Sequence, residues 1–232
     1  EAASHGDSRQ VLRYHDQGMR LPAVIIVPGI AFMSVLAPYI ASTFFFNNTL
    51  EETSAIAVVL AVIAWMAIPM SWTYLNDRVF YAHQMTWMSF RLQCVTTGIA
   101  TVGAVVALQL DPAITARALG AGQVLAFCVS AAVGFWVLRR HLGPLGLRAT
   151  ARVYLSLVVP AIVTAVGLSI AIGQLFPDLG ETRGVAGLVA GGLVLAGAGI
   201  IQLGVTWGVA GLLGVREIST ALQPVTRRLR RR

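Results

Sequence analysis

Lysine is missing altogether, cysteine occurs only twice, and six long apolar stretches contain no Asp, Glu, Lys, Arg or His at all. Each scarcity excludes something. A disulfide framework or a thiolate zinc site needs clustered, exposed thiols, whereas Cys94 and Cys128 both lie inside apolar stretches and read as small packing residues. The four histidines, His5, His15, His83 and His141, stand outside the stretches without metal-ligand spacing, and are expected to be solvated. No nucleophile stands beside a base, no glycine-rich loop runs into Gly-Lys-Ser/Thr, and no carboxylate pair lies within an apolar stretch. The chain is therefore not expected to be an enzyme, and no cofactor is expected. The net charge of +7 comes without the interleaved aromatics of a base-stacking platform, so nucleic acid is not an expected partner.

What is present is hydrocarbon. The stretches run Leu21 to Phe46, Ser54 to Leu75, Leu92 to Leu110, Leu119 to Leu138, Val153 to Phe176 and Val185 to Leu213. Each reaches or exceeds the roughly 20 residues that a helix needs to cross a bilayer core. Strands would be about half as long and would alternate in polarity. With no water to satisfy the backbone, these segments must be helices, so the sequence predicts an all-α polytopic membrane protein with six transmembrane helices.

Arginine gives the orientation. With the amino-terminal side taken as cytoplasmic, all but two of the 17 arginines fall on that side, and only Arg117 and Arg183 fall outside. The positive-inside rule then puts both ends of the chain in the cytoplasm. Three parts follow: a cytoplasmic or interfacial segment over 1–20, a six-helix bundle over 21–214, and a basic tail over 215–232. In the tail, five arginines between Arg227 and Arg232 accompany Ile218, Leu222, Val225 and Leu229 near helical spacing, which predicts attraction to anionic membrane lipids. The segment from Ser8 to Arg20, with Val11, Leu12 and Tyr14 among polar residues, predicts a short helix at the membrane surface. The opening Glu1-Ala-Ala-Ser-His-Gly-Asp is not a signal peptide and reads like the interior of a longer protein.

Prolines and small polar residues give the spans their detail. Pro22, Pro28 and Pro38 punctuate the first, Pro69 the second and Pro160 the fifth, so kinks are expected there. Gly187/Gly191 and Gly204/Gly208 on the sixth span form small-xxx-small pairs that permit close helix approach. On the third span Gln93, Thr97 and Thr101 stand at i, i+4 and i+8 with Thr96 alongside, forming one polar stripe expected to face protein or a cavity rather than lipid. Gln123, Ser130, Gln202 and Thr206 on other spans are candidate interhelical partners. Asn47-Asn48-Thr49 matches a glycosylation sequon and reads as a chance match.

The order of features resembles the carboxy-terminal half of the MurJ/MviN family of lipid II flippases, within the multidrug, oligosaccharidyl-lipid and polysaccharide exporter superfamily. The likeness begins at Glu1-Ala-Ala-Ser-His-Gly-Asp and continues through Asp16-Gln17-Gly18-Met19-Arg20-Leu21 and Val27-Pro28-Gly29. It goes on through Val35-Leu36-Ala37-Pro38-Tyr39-Ile40 to Phe44-Phe45-Phe46. Its best local marker is Arg78-Val79-Phe80-Tyr81-Ala82-His83-Gln84, similar to a Phe-Tyr-Ala/Ser-Arg-Gln element at the inner end of the family's tenth helix. The chain departs from the family at His83, where the family has Arg, and at Met85-Thr86-Trp87-Met88-Ser89, where it has Asp and then Thr-Pro.

The resemblance implies that the six spans are the ninth to fourteenth of fourteen helices, the last two forming a groove for a lipid tail. It implies a substrate, lipid II or a related prenyl-pyrophosphate glycolipid, moved from the cytoplasmic to the outer leaflet of the bacterial inner membrane. It also implies an amino-terminal half holding the cationic pocket, and cytoplasmic cell-wall regulatory proteins are further candidate partners. The sodium site of some relatives needs an acidic residue that the third span lacks, so no metal site is expected. Arg20, Arg78, His83 and Arg91 at the cytoplasmic mouth, with Gln93, Thr97 and Thr101 in the third span, are the candidate substrate-binding residues. A flippase for another prenyl-linked oligosaccharide and a non-transporting membrane scaffold are the alternatives.

Overall fold

A computed structural model describes residues 8–180 and 184–212. Among these residues there is no strand, and six helical segments are long and apolar enough to cross a membrane. The predicted tail over 215–232 lies outside the described residues.

Several helices extend past the apolar stretches, because an arginine or hydroxyl side chain ends the hydrocarbon run without ending the backbone hydrogen-bond ladder. Thus α6 covers Thr86–Ala107 where Leu92 to Leu110 was expected, and α7 covers Pro112–Leu142, about 46 Å of helix, where Leu119 to Leu138 was expected. Proline decides where the first two spans break. The first is divided into α2, Ala23–Val35, and α3, Ala37–Phe44, at Leu36, with Pro38 in the first turn of α3. The second is divided into α4, Leu50–Ala64, and α5, Ala67–Ala82. The interruption at Trp65 and Met66 falls where the ring of Pro69 would clash with the carbonyl four residues earlier. Pro28 and Pro160, by contrast, lie inside continuous helices.

The chain forms two compact units. Of the described residues, unit 1 comprises 8–22 and 65–151, and contains α1 (Ser8–Arg20), α5, α6 and α7. Helix α7 is its centre, packed along both α6 and α5. Val79, Phe80, Leu92, Val137 and Leu138 form a buried cluster where the carboxy-terminal ends of α5 and α7 meet the amino-terminal part of α6. In the seam between α6 and α7 two glycines stand face to face: a Cβ on Gly103 would lie 3.4 Å from the Gly122 Cα, and one on Gly122 3.6 Å from the Gly103 Cα. Helix α1 packs on α5 with Met19 and His15 buried. The expectation of solvated histidines is therefore wrong for His15, because Asn76 of α5 supplies the polar partner that lets an imidazole leave water. The cysteines are corrected as well, since both are exposed on the chain's surface. Cys128 opens on an apolar cavity of about 330 Å³, bounded also by Trp65, Ile68, Trp72 and Phe135.

Of the described residues, unit 2 comprises 23–64, 152–180 and 184–212, and contains α2, α3, α4, most of α8 (Leu147–Leu175) and α9 (Val185–Leu212). Thr49 opens α4 with a reciprocal cap: its N–H donates to the Glu52 carboxylate at 2.9 Å and its hydroxyl accepts the Glu52 N–H at 3.3 Å. The sequon-like Thr49 thus has a local structural use. Of the polar residues expected to act between helices, Gln202 makes such a bond, whereas Gln123 is exposed and the hydroxyls of Ser130 and Thr206 are buried without a hydrogen-bond partner. The amide of Gln202 on α9 donates to the Ala161 carbonyl of α8 at 2.8 Å, and the Trp207 indole donates to the Val24 carbonyl of α2 at 2.8 Å. Of the two small-residue pairs on α9, Gly187 and Gly191 are buried, and Gly191 meets the Thr43 side chain. Gly204 and Gly208 are exposed with open space around them, so only the first pair serves close approach.

Candidate functional site

The candidate site residues all lie in unit 1. Gln93, Thr97 and Thr101 are exposed along one side of α6, spaced by about 6 Å of helix rise per step. Ser89, Leu92 and Thr96 occupy the packed side. Thr96 therefore leaves the expected stripe: it is buried, and its hydroxyl donates to the Leu92 carbonyl of its own helix at 2.9 Å. Gln123 of α7 is exposed, while Ser130 is buried. The stripe is thus a row of uncharged hydrogen-bonding groups at membrane depth, turned away from the core of its own unit. Such groups are costly against hydrocarbon and favourable against a wet cavity or a polar partner.

The cationic candidates surround the carboxy-terminal ends of α1 and α5 and the amino-terminal end of α6, and do not converge on the stripe. Arg20 closes α1 and is half-buried, and Arg78 is exposed on α5. His83 caps α5 and is half-buried, with Nε2 inaccessible and without a hydrogen-bond partner. Gln84 follows at φ 58, and the Met85 N–H returns to the Phe80 carbonyl at 2.8 Å, so a tight left-handed turn joins α5 to α6. Arg91 on α6 stands over the Trp87 ring at 5.5 Å. At about 100° per residue, Arg91 lies roughly 120° around the helix from the middle of the polar stripe.

Sequence reading missed a second surface. On α5 the packed side carries Pro69, Thr73, Asn76, Val79 and Phe80, and the opposite side exposes Tyr74 and Tyr81, 54% and 56% accessible, with Arg78 between them. The i, i+4, i+7 spacing was visible, but the tyrosines were not weighed with the arginine. Hydrogen bonds from the next helix hold this end. Ser89 of α6 donates to the Asp77 carboxylate at 2.6 Å, and its oxygen lies 3.2 Å from the Tyr81 hydroxyl, which fixes the Tyr81 ring beside Arg78. Chemically, the surface offers a guanidinium for phosphate and aromatic faces for apolar sugar faces.

Among the described residues no group of three or more His, Cys, Asp or Glu could hold a metal ion. The arrangement offers hydrogen-bonding groups, guanidinium groups and aromatic faces that could meet a polar ligand. The family model described as Lipid II flippase MurJ matches residues 1–177, which takes in the first five spans and both exposed polar surfaces. No solved structure matches the chain. A match over this share of the sequence, on a bundle of six apolar helices, makes the chain a member of the MurJ lipid II flippase family.

Proposed function

We propose that this chain forms one wall of a flippase that carries lipid II, headgroup first, from the cytoplasmic to the outer leaflet of a bacterial inner membrane. The observation that carries the reading is the exposed, uncharged polar stripe Gln93–Thr97–Thr101 at membrane depth in a member of this family. A sugar-pyrophosphate headgroup crossing a roughly 30 Å apolar core must exchange its hydration for protein partners all along the path. Hydroxyl and amide groups one turn apart provide such exchange without trapping the cargo. Arg78 and Arg91, with Arg20 and His83, meet the phosphates at the cytoplasmic mouth. The amino-terminal half that the family implies supplies the charged pocket, and the prenyl tail stays in lipid while the two halves rock against each other.

Reconstitution tests this reading. Vesicles holding the intact flippase are expected to translocate labelled lipid II, and Gln93→Leu/Thr97→Val/Thr101→Val to slow it about tenfold or more while leaving the protein folded. The 232-residue chain alone is expected not to translocate it. Undiminished transport by the triple variant overturns the assignment of the stripe. Transport of another prenyl-linked oligosaccharide in preference to lipid II would replace the substrate and keep the mechanism.

A further inference from the structure

One buried titratable group has no part in the polar stripe or the cationic mouth. His15 is 2% exposed and Asn76 1%, where α1 meets α5 and α7 inside unit 1. His15 Nε2 lies 3.1 Å from Asn76 Oδ1, and the ring meets Phe135 of α7 edge-on, with centroids 6.4 Å apart. Its Nδ1 lies 3.9 Å from an Asp16 carboxylate oxygen. Asp16 in turn accepts the Gly146 N–H at 3.1 Å, which ties α1 to the connection between α7 and α8. His15 Nδ1 and Asn76 Nδ2 are both buried and without a hydrogen-bond partner.

The charge states of the ring use these atoms differently. A neutral ring with its proton on Nε2 donates to Asn76 and leaves a bare Nδ1 lone pair facing the Asp16 carboxylate, acceptor against acceptor. A neutral ring with its proton on Nδ1 suits Asp16, but then the Asn76 amide must turn over so that its nitrogen donates to Nε2. The doubly protonated ring satisfies both sides at once, with Nε2–H donated to the amide oxygen and Nδ1–H directed at Asp16. One set of heavy-atom positions therefore accommodates both loaded and unloaded states, through an amide rotation of Asn76. Among the described residues, Asp16 from α1 is the charged group facing the ring. Helix α5 presents Asn76, α7 presents Phe135 and the following connection presents the Gly146 N–H, all neutral. Asp77 turns instead to Ser89, and Arg140 lies over Trp136 at 3.9 Å.

We propose that His15, with Asp16 and Asn76, is a proton-binding site. Its ligand is a proton taken up on Nδ1, and its loaded state adds a charge-assisted contact to the hydrogen bond that holds α1 on unit 1. The chain leaves unit 1 at Pro22, two residues beyond the end of α1. The proton thus governs how firmly α1 is anchored where the chain crosses to the second unit. This stands apart from the identity of the transported lipid.

The test uses the intact protein in lipid nanodiscs with ¹⁵N-labelled histidine, any other histidine being replaced by glutamine, and reads the ring nitrogens of His15 by NMR. The doubly protonated signature is expected to appear in one step on acidification between about pH 8 and 4. Asp16→Asn is expected to reduce its population about tenfold at the wild-type midpoint. Asn76→Asp, which places a carboxylate against Nε2, is expected to retain the imidazolium where the wild type has lost it. Amide exchange over Ser8–Arg20 is expected to slow several-fold across the same step, and to be independent of pH in His15→Gln, which keeps a donor for Asn76. A ring held in one neutral tautomer across that range, with the fold intact, overturns the proposal. So does a titration unchanged in both carboxylate variants, or an exchange profile unchanged by His15→Gln.

Discussion

A methyl group on Gly134 would place its carbon 2.6 Å from Asn76 Nδ2, inside any contact that a real side chain tolerates. Gly134→Ala is therefore expected to displace the buried amide and destabilise the protein by about 1–3 kcal/mol, measured as a lowered unfolding midpoint in detergent. In unit 2, Thr49→Ala removes the hydroxyl that caps α4 and is expected to cost about 1 kcal/mol, while Thr49→Ser is expected to cost little. A glycosylation role for Thr49 would make both variants neutral in an unglycosylated preparation. At this scale the sequence was least legible. His15 and His83 look alike in the chain, and so do Thr96 and Thr97, yet in each pair the two differ in burial. What separates them is a partner on another helix, or a rotation of about 100° about their own, and neither is written in the neighbouring residues.

The elements were far more legible, because a bilayer leaves few choices. An apolar run of sufficient length has to be helical, and every expected span appears as helix. The starts of α6, α7 and α8 and the end of α5 moved outward, since charge-free runs mark the hydrocarbon and not the helix. The break at Trp65–Met66 follows from Pro69, while the unbroken α8 shows that Pro160 is absorbed. The polar stripe could be read from its period, but its exposure required the packing of α6 on α7. Element-scale substitution separates the two polar surfaces. Tyr74→Leu/Tyr81→Leu is expected to weaken apparent affinity for lipid II several-fold with little effect on thermal stability, measured as concentration dependence in the vesicle assay. Ser89→Ala is expected to share part of that loss, and Ser89→Thr to restore it, because the hydroxyl and not the helix is at issue.

For the whole molecule the sharpest test is sidedness. In a background with Cys94 and Cys128 replaced, Thr49→Cys and Ala149→Cys are expected to react with an impermeant thiol reagent from opposite faces of the membrane, Thr49→Cys from outside. Reaction of both from one face would invalidate the six-span reading and the assignment of Arg78 and Arg91 to a cytoplasmic mouth. The division into two units was not legible, since its boundary at residues 151–152 falls inside α8, where no change of composition marks it. The paired glycines of the α6–α7 seam carry a consequence of another kind. Either Gly103→Ala or Gly122→Ala alone brings its methyl to ordinary contact distance, and is expected to be neutral or to stabilise its helix by about 0.5–1 kcal/mol. Together the two methyls compete for one gap, and the double variant is expected to fall well below the sum of the singles in a double-mutant cycle. Each position thus holds a permissive alternative that the other can revoke. Among descendants of this chain, alanine at one site closes the route to alanine at the other.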